Sequence, residues 1–290
     1  RRLPETAQVR ADHREVAGQQ QHGRPASAVP DAQRDALQAA LQTTEKAARR
    51  AAIREVRDAW LGSLPEDEAI AARVKEMAGP IDELRQRQVA EIAAPIDGAR
   101  ESCRAKECEM GNVVAEAMLA RVAGQGVTIA IQTGGGLRAS IDAGPVTMGE
   151  VYSVLPFQNT LATFQLSGAD IIAALENGVG QIEEGAGRFP QVAGLSYVFD
   201  VSAEPGSRIS DVMVIDADGN ATPLDEGATY GVVSNNFMRK GGDGYAMFAS
   251  NAMNAYDFGP GLEQVVADYL AENAPYSPYT DGRIMAAADM

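Results

Sequence analysis

The chain has 290 residues, 45% of them apolar and 22% charged, enough to bury one large core or two modest ones. A net charge of -15 excludes a nucleic-acid backbone or an anionic membrane as the principal partner, and no apolar run reaches membrane-spanning length. The acidity is uneven: residues 1–62 carry 11 Lys+Arg against 8 Asp+Glu, and the remainder carries 14 against 32.

The chain opens on Arg1 without a signal-peptide core, which reads as a fragment or a processed product. Residues 1–30 are rich in Arg, Gln, Ala and Pro and lack periodicity, so disorder or loose attachment is expected there. Residues 31–62 carry Leu37, Leu41, Ala48, Ile53, Val56 and Trp60 on roughly one helical face, with Asp31 as the N-cap and Gly62 as the stop. Ser63–Glu66 has the form of a capping box. It opens a second helical run with Ile70, Val74 and Met77, which Gly79–Pro80 is expected to interrupt. A third helical run carries Ile81, Leu84, Val89 and Ile92 and ends before Pro95.

After residue 98 short apolar segments alternate with Gly-rich turns. VTIAIQ, TLATFQLSG, LSYVFDVS, DVMVIDADG and TYGVVSNNF read as strands. Helical patterns fall at Gly111–Gly124, Ala169–Glu176 and Gly261–Asn273. The expected fold class is therefore α/β of the α+β type, with mixed, largely antiparallel sheets, packed helices and a long helical connector in front. The expected division is a segment over 1–62, a helical connector over 63–97 and a folded domain over 98–290.

Several segments are candidates for chemistry. SCRAKEC holds both cysteines, Cys103 and Cys108, and leaves a local disulfide and two free thiols equally open. A zinc site would need two more ligands, and His13 and His22 lie far upstream. TGGGLR, Thr133–Arg138, is neither a Walker A loop nor a dinucleotide fingerprint. Glycine there permits positive φ and close approach of backbone to a ligand. Residue types alone favour a structural turn, and Arg138 shifts the balance toward anion recognition. Phe157 in LPFQNT reads first as a core residue. NNFMRKGGDGY places Phe237 before a Gly-Gly-Asp-Gly turn, in which Asp243 is either a turn residue or a carboxylate for a hydroxyl pair. DADGN, Asp216–Asn220, lacks the glycine and distal Glu of a calcium loop and reads as a hairpin turn. RFPQVAG has no mechanism derivable from residue types.

The ordered set CRAKEC-E-MGN, GGGLR, LPFQNTL, GRFPQVAG and NNFMRKGGDGY is similar to the C-terminal domain of the 5′-nucleotidases, a family that includes UDP-sugar hydrolases. The likeness covers residues 98–284 and, more weakly, the connector from about residue 63. It implies a substrate-recognition domain of a metal-dependent phosphoric monoester hydrolase. In the family, a preceding metallophosphoesterase domain holds two divalent metal ions and performs the chemistry.

Carried over residue by residue, Phe157 and Phe237 match the rings that sandwich the base, and Asp243 the carboxylate that accepts from the ribose hydroxyls. Arg104 and Arg138 match arginines facing the ribose-phosphate part. Arg100, four residues before Arg104, matches a further arginine, and Asn159 a base-contacting Asn. Gly136 lies where the family's glycines approach the ligand. Cys103 and Cys108 match a disulfide of animal members, which implies a periplasmic, cell-surface or extracellular setting.

Two departures stand out. Thr133 occupies the place of an Asn, and a hydroxyl cannot present an amide's donor and acceptor together. No match to the metal domain's ligand motifs is present, and residues 63–290 contain no histidine. The resemblance therefore implies no metal or other cofactor held by this chain, and binding of a nucleoside 5′-phosphate or related nucleotide without turnover. It also implies a catalytic-domain partner. A non-catalytic nucleotide or sugar-nucleotide binding module and a fold-only relic are the alternatives.

Overall fold

The structure, a computed structural model, describes residues 67–289 and, upstream, the helical positions Asp35, Ala36, Ala51, Arg54, Glu55, Val56, Asp58 and Ala59. The tail expected over 1–30, most of the helix expected over 31–62 and the capping box at Ser63–Glu66 lie outside the described residues. The chain divides into two compact units, Arg1–Lys75 and Glu76–Met290.

Helix α1, Glu68–Gln86, starts at Asp67, whose carboxylate accepts the N–H groups of Ala69 and Ile70 at 3.0 and 3.2 Å. Two expectations fail here. The helix runs straight through Gly79 and Pro80. Pro80 removes one backbone donor, and the helix continues past it on an exposed face. The third helical run is also absent beyond Gln86: Gln88–Ile92 is strand β1. It pairs antiparallel with β3, Gly144–Thr147, and buries Ala90 and Ile92 in alternation. A strand partner more than 50 residues away overrides the local helical spacing. Of the connector expected to be helical over 63–97, the described part is helical over Glu68–Gln86 and not beyond.

The remaining elements follow in order: α2 Arg100–Cys103, α3 Glu109–Arg121, β2 Ile129–Thr133, β3, α4 Met148–Val154, β4 Leu161–Ser167 and α5 Gly168–Val179. Then come β5 Pro190–Ala193, β6 Leu195–Phe199, β7 Ile209–Ile215, β8 Ala221–Pro223 and β9 Thr229–Asn235. The chain finishes with α6 Asn236–Arg239, α7 Ala246–Ser250, β10 Met253–Tyr256, α8 Leu262–Glu272 and β11 Ile284–Ala286. The fold is mixed α/β, with a central sheet in the order β10-β4-β9-β2-β5, a second sheet β11-β6-β7-β8 and the β1-β3 pair. The DADGN segment is the expected hairpin turn between β7 and β8, with Asp216 Oδ1 accepting the N–H groups of Asp218 and Asn220.

The middle of the central sheet is buried on both faces. Ile129 and Ile131 of β2 enter one apolar cluster with Phe164, Leu175 and Val192. Ala130 between them enters the other, with Met118, Val233 and Val266. That two-sided burial explains why VTIAIQ is a continuous apolar run and not an alternating one.

Part of the CRAKEC-E-MGN motif serves this packing. Glu107 accepts the N–H groups of Asp281 and Gly282, both at 2.9 Å, and Asn112 donates to Glu107 at 2.7 Å. Arg283 binds Glu116 and Asp281 at 2.7 Å each. These contacts latch the C-terminal DGR segment onto α3.

Candidate functional site

Topology decides where the candidate residues meet. Strands β2 and β9 are parallel neighbours, so their carboxyl ends leave the sheet at the same edge. The antiparallel strands β4 and β5 begin at that edge, with Leu161 opposite Asn235 and Pro190 opposite Thr133. The Gly triplet and Phe237 follow strand ends, while Phe157, Asn159 and Gly187 precede strand starts. A crevice outside strand ends is the usual binding position in such sheets.

A cavity of about 500 Å³ opens there. It is lined by Arg104, Thr133, Gly136, Arg138, Phe157, Asn159, Phe237 and Asp243, together with Gly135 and Gly187. Arg100 does not line it. Its side chain is exposed, and it reaches the site through its charge, which acts on Arg104.

The glycine triplet is required by packing and not by φ, since none of Gly134, Gly135 and Gly136 has positive φ. A Cβ on Gly134 would overlap the carbonyl oxygen of Cys103, and one on Gly135 would sit 2.7 Å from the Cα of Gly187. The N–H groups of Gly134 and Gly135 donate to Phe189 O at 2.8 Å and Gly187 O at 2.7 Å. Those two donors are satisfied inside the protein, as the structural-turn reading of the triplet implies. Gly136 does line the cavity.

Phe157 is 56% exposed and Phe237 46%, so the core reading of Phe157 is wrong. Phe237 sits on α6, whose first turn is capped by Asn235 Oδ1 accepting Met238 N–H at 2.9 Å. Beneath the ring lies Gly242, where a Cβ would come within 2.5 Å of it. The following Asp243 adopts φ 52, in a turn where Gly241 and Gly244 take φ 87 and 83. Left-handed backbone at a non-glycine costs about 1–2 kcal/mol. Asn177 Nδ2 holds the turn by donating to Asp243 O at 3.1 Å. On the other side, the guanidinium of Arg138 lies 5.8 Å from the centre of the Phe157 ring. Asn159 accepts Leu262 N–H through its backbone oxygen at 2.8 Å, which ties this loop to α8.

Arg104 is placed by the loop between Cys103 and Cys108, which are joined by a disulfide with a Cα separation of 5.1 Å. Gln191 of β5 fills this loop. Its side-chain nitrogen donates to Cys103 O at 3.0 Å and Lys106 O at 2.7 Å, and its oxygen accepts Cys108 N–H at 3.2 Å. Arg104 is 9% exposed; its Nη1 donates to Gly185 O at 3.2 Å, and its buried Nε has no hydrogen-bond partner. Burial first, then the nearby Arg100 and Arg138, pull its pKa below the ordinary value, against the pull of Asp243. The guanidinium stays charged, and the site gathers cations that want an anion. A Cβ built on Gly187 would lie 3.6 Å from Asp243 Oδ2 and 3.8 Å from Arg104 Nη1, so this glycine keeps open the gap between the two groups. Residue types did not reveal Gly187; its only signal was membership of the GRFPQVAG segment.

The chemistry on offer is a pair of exposed rings, one carboxylate suited to hydroxyl groups and a cluster of arginines suited to an anion. The divalent metal ions implied by the resemblance do not fit this donor set, in which a single carboxylate faces at least two guanidinium groups. Among the described residues no cluster of three or more His, Cys, Asp or Glu suits a metal ion.

Residues 88–250 match the family model described as 5′-nucleotidase, C-terminal domain. The chain is 41% identical over 187 residues to the trifunctional nucleotide phosphoesterase protein YfkN of Bacillus subtilis, covering 64% of this chain and 13% of that protein. It is 31% identical to the human 5′-nucleotidase over 235 residues, covering 77% of this chain and 41% of the relative. Among solved structures, a 5′-nucleotidase precursor from Thermus thermophilus superposes with a TM-score of 0.70 at 43% identity, over 77% of this chain and 44% of that one. The chain thus spans less than half the length of each of these three proteins.

Proposed function

Since the chain belongs to the family of 5′-nucleotidase C-terminal domains, we propose that it is the nucleotide-recognition part of a 5′-nucleotidase-type phosphohydrolase acting in nucleotide catabolism. The ligand is a nucleoside 5′-phosphate or a related nucleotide. Its base stacks between Phe157 and Phe237, its ribose hydroxyls donate to Asp243, and its phosphate end meets Arg104 and Arg138, with Arg100 behind them. One observation carries this reading: two half-exposed phenylalanines, a carboxylate and arginines line a single cavity of about 500 Å³.

These residues bind and orient; they supply no group that activates water. The chain therefore binds without turnover, and hydrolysis belongs to a metal-bearing catalytic partner domain. Thr133, buried at the cavity wall, offers a hydroxyl where an amide could read a base edge. Stacking is tolerant of base identity, so AMP, GMP and UMP are expected to bind within about tenfold of one another. The Cys103–Cys108 disulfide supports a periplasmic, cell-surface or extracellular setting. No described helix is long and apolar enough to cross a membrane.

Calorimetric titration of the full chain with the three nucleotides, beside a phosphate-release assay on AMP with added divalent metal, tests the proposal. One binding site and no enzymatic phosphate release are expected. Absence of binding overturns the recognition role, and metal-dependent release at enzymatic rates overturns binding without turnover.

A further inference from the structure

The two strand ends that carry the cavity are tied together below it by two side-chain contacts, Ser234 Oγ donating to Ile131 O at 2.8 Å and a pair of amides. Gln132 is the penultimate residue of β2 and Asn235 the last of β9, and both are buried, at 0% and 1% exposure. Asn235 Nδ2 donates to Gln132 Oε1 at 2.8 Å, a contact between residues 103 positions apart. The other half of the Asn235 amide is the α6 cap, accepting Met238 N–H at 2.9 Å. One side chain therefore reaches both β2 and the helix that bears Phe237.

Gln132 reaches the other wall. Its Nε2 donates to Thr133 O at 3.3 Å and lies against Gly136, where a Cβ would overlap it. Gly136 and Phe237 both line the cavity, at the ends of different strands. The route between them is Gly136, Gln132, Asn235 and α6, with every link a hydrogen bond or a packed contact.

We propose that Gln132 and Asn235 are positioning residues that fix Phe237 relative to the β2 end of the cavity, and with it the ring-to-base gap that sets the affinity for planar bases. The proposal rests on the reading of the cavity as a nucleotide site. Stacking is sensitive to such a distance: a gap of about 0.5–1 Å forfeits about a quarter to a half of the dispersion contact. A buried pair of amides holds that distance more tightly than an exposed one, because an unmade bond in the interior leaves a polar group unsatisfied.

The test compares adenosine with ribose 5-phosphate, which carries the sugar and anion but no base. Calorimetric affinities and melting temperatures are measured on the full chain for wild type, Asn235→Ser, Phe237→Ala and the double variant. Serine preserves the helix cap and removes the bridge. For Asn235→Ser, adenosine binding is expected to weaken by roughly tenfold, with ribose 5-phosphate within about twofold of wild type. Adding Phe237→Ala should bring much less than its single effect, since both changes act on one ring. Should Asn235→Ser fail to fold, Gln132→Met removes the acceptor while leaving the cap in place, and the same results are expected of it. Unchanged adenosine affinity, equal losses for both ligands, or full additivity with Phe237→Ala overturns the proposal. Wild type that binds AMP but no adenosine overturns this inference alone, and wild type that binds neither overturns the nucleotide reading with it.

Discussion

Phe237→Ala is expected to weaken AMP binding by about 1–3 kcal/mol, roughly five- to 150-fold, while leaving the fold intact. The ring is 46% exposed, so little of the core depends on it. One face rests on Gly242, where no side chain fits, and the rest of the ring borders the cavity. That arrangement leaves an aromatic face free for a flat ligand to cover. Phe157→Ala should produce a loss of the same order, and the double variant should bind AMP no better than it binds ribose 5-phosphate. An affinity for AMP unchanged in the double variant, measured by calorimetry with the melting temperature as control, would place the base elsewhere.

Arg104→Met separates recognition from stability. Without ligand, Arg104 is a buried cation with an unpartnered Nε and two like-charged neighbours, Arg100 and Arg138. Removing it relieves desolvation and repulsion, while methionine keeps much of the side chain's apolar volume. The melting temperature should stay the same or rise. AMP affinity should fall by about 1.5–3 kcal/mol, the range for a hydrogen bond to a charged group. Adenosine, lacking the phosphate, should lose little. Equal losses for AMP and adenosine would mean that Arg104 holds the loop and not the anion. A drop in melting temperature of many degrees would say the same.

The fold was legible where burial pattern and length agreed. β2, β4, β6, β7 and β9 are apolar runs between Gly-rich turns, and α3, α5 and α8 show helical spacing close to their observed bounds. β1 was hidden because Val89 and Ile92 continue the spacing of Ile81 and Leu84, and only its pairing with β3 makes it a strand. β5 was hidden by its length of four residues and its leading Pro190. β10 lies at the edge of its sheet with every residue exposed, so no apolar alternation marks it.

At the site, residue types alone pointed the wrong way for Phe157, because a lone phenylalanine after proline is ordinarily core. The order of five motifs raised Phe157, Phe237, Asp243 and the arginines together, and the topology of parallel strand ends explains why segments so far apart converge. The contacts made by Gly187, Gln132 and Asn235 could not be read from residue types, for a physical reason. Gly187 acts by lacking a side chain opposite Gly135, 52 positions away, and the amide pair acts across a gap of 103. Contacts of that kind exist only once the sheet has formed.

A crystal structure of the full chain with AMP asks the most direct question of this site. The base should lie between Phe157 and Phe237, the ribose hydroxyls on Asp243 and the phosphate toward Arg104 and Arg138. A nucleotide bound outside this cavity, or in it with the base away from both rings, would contradict the assignment.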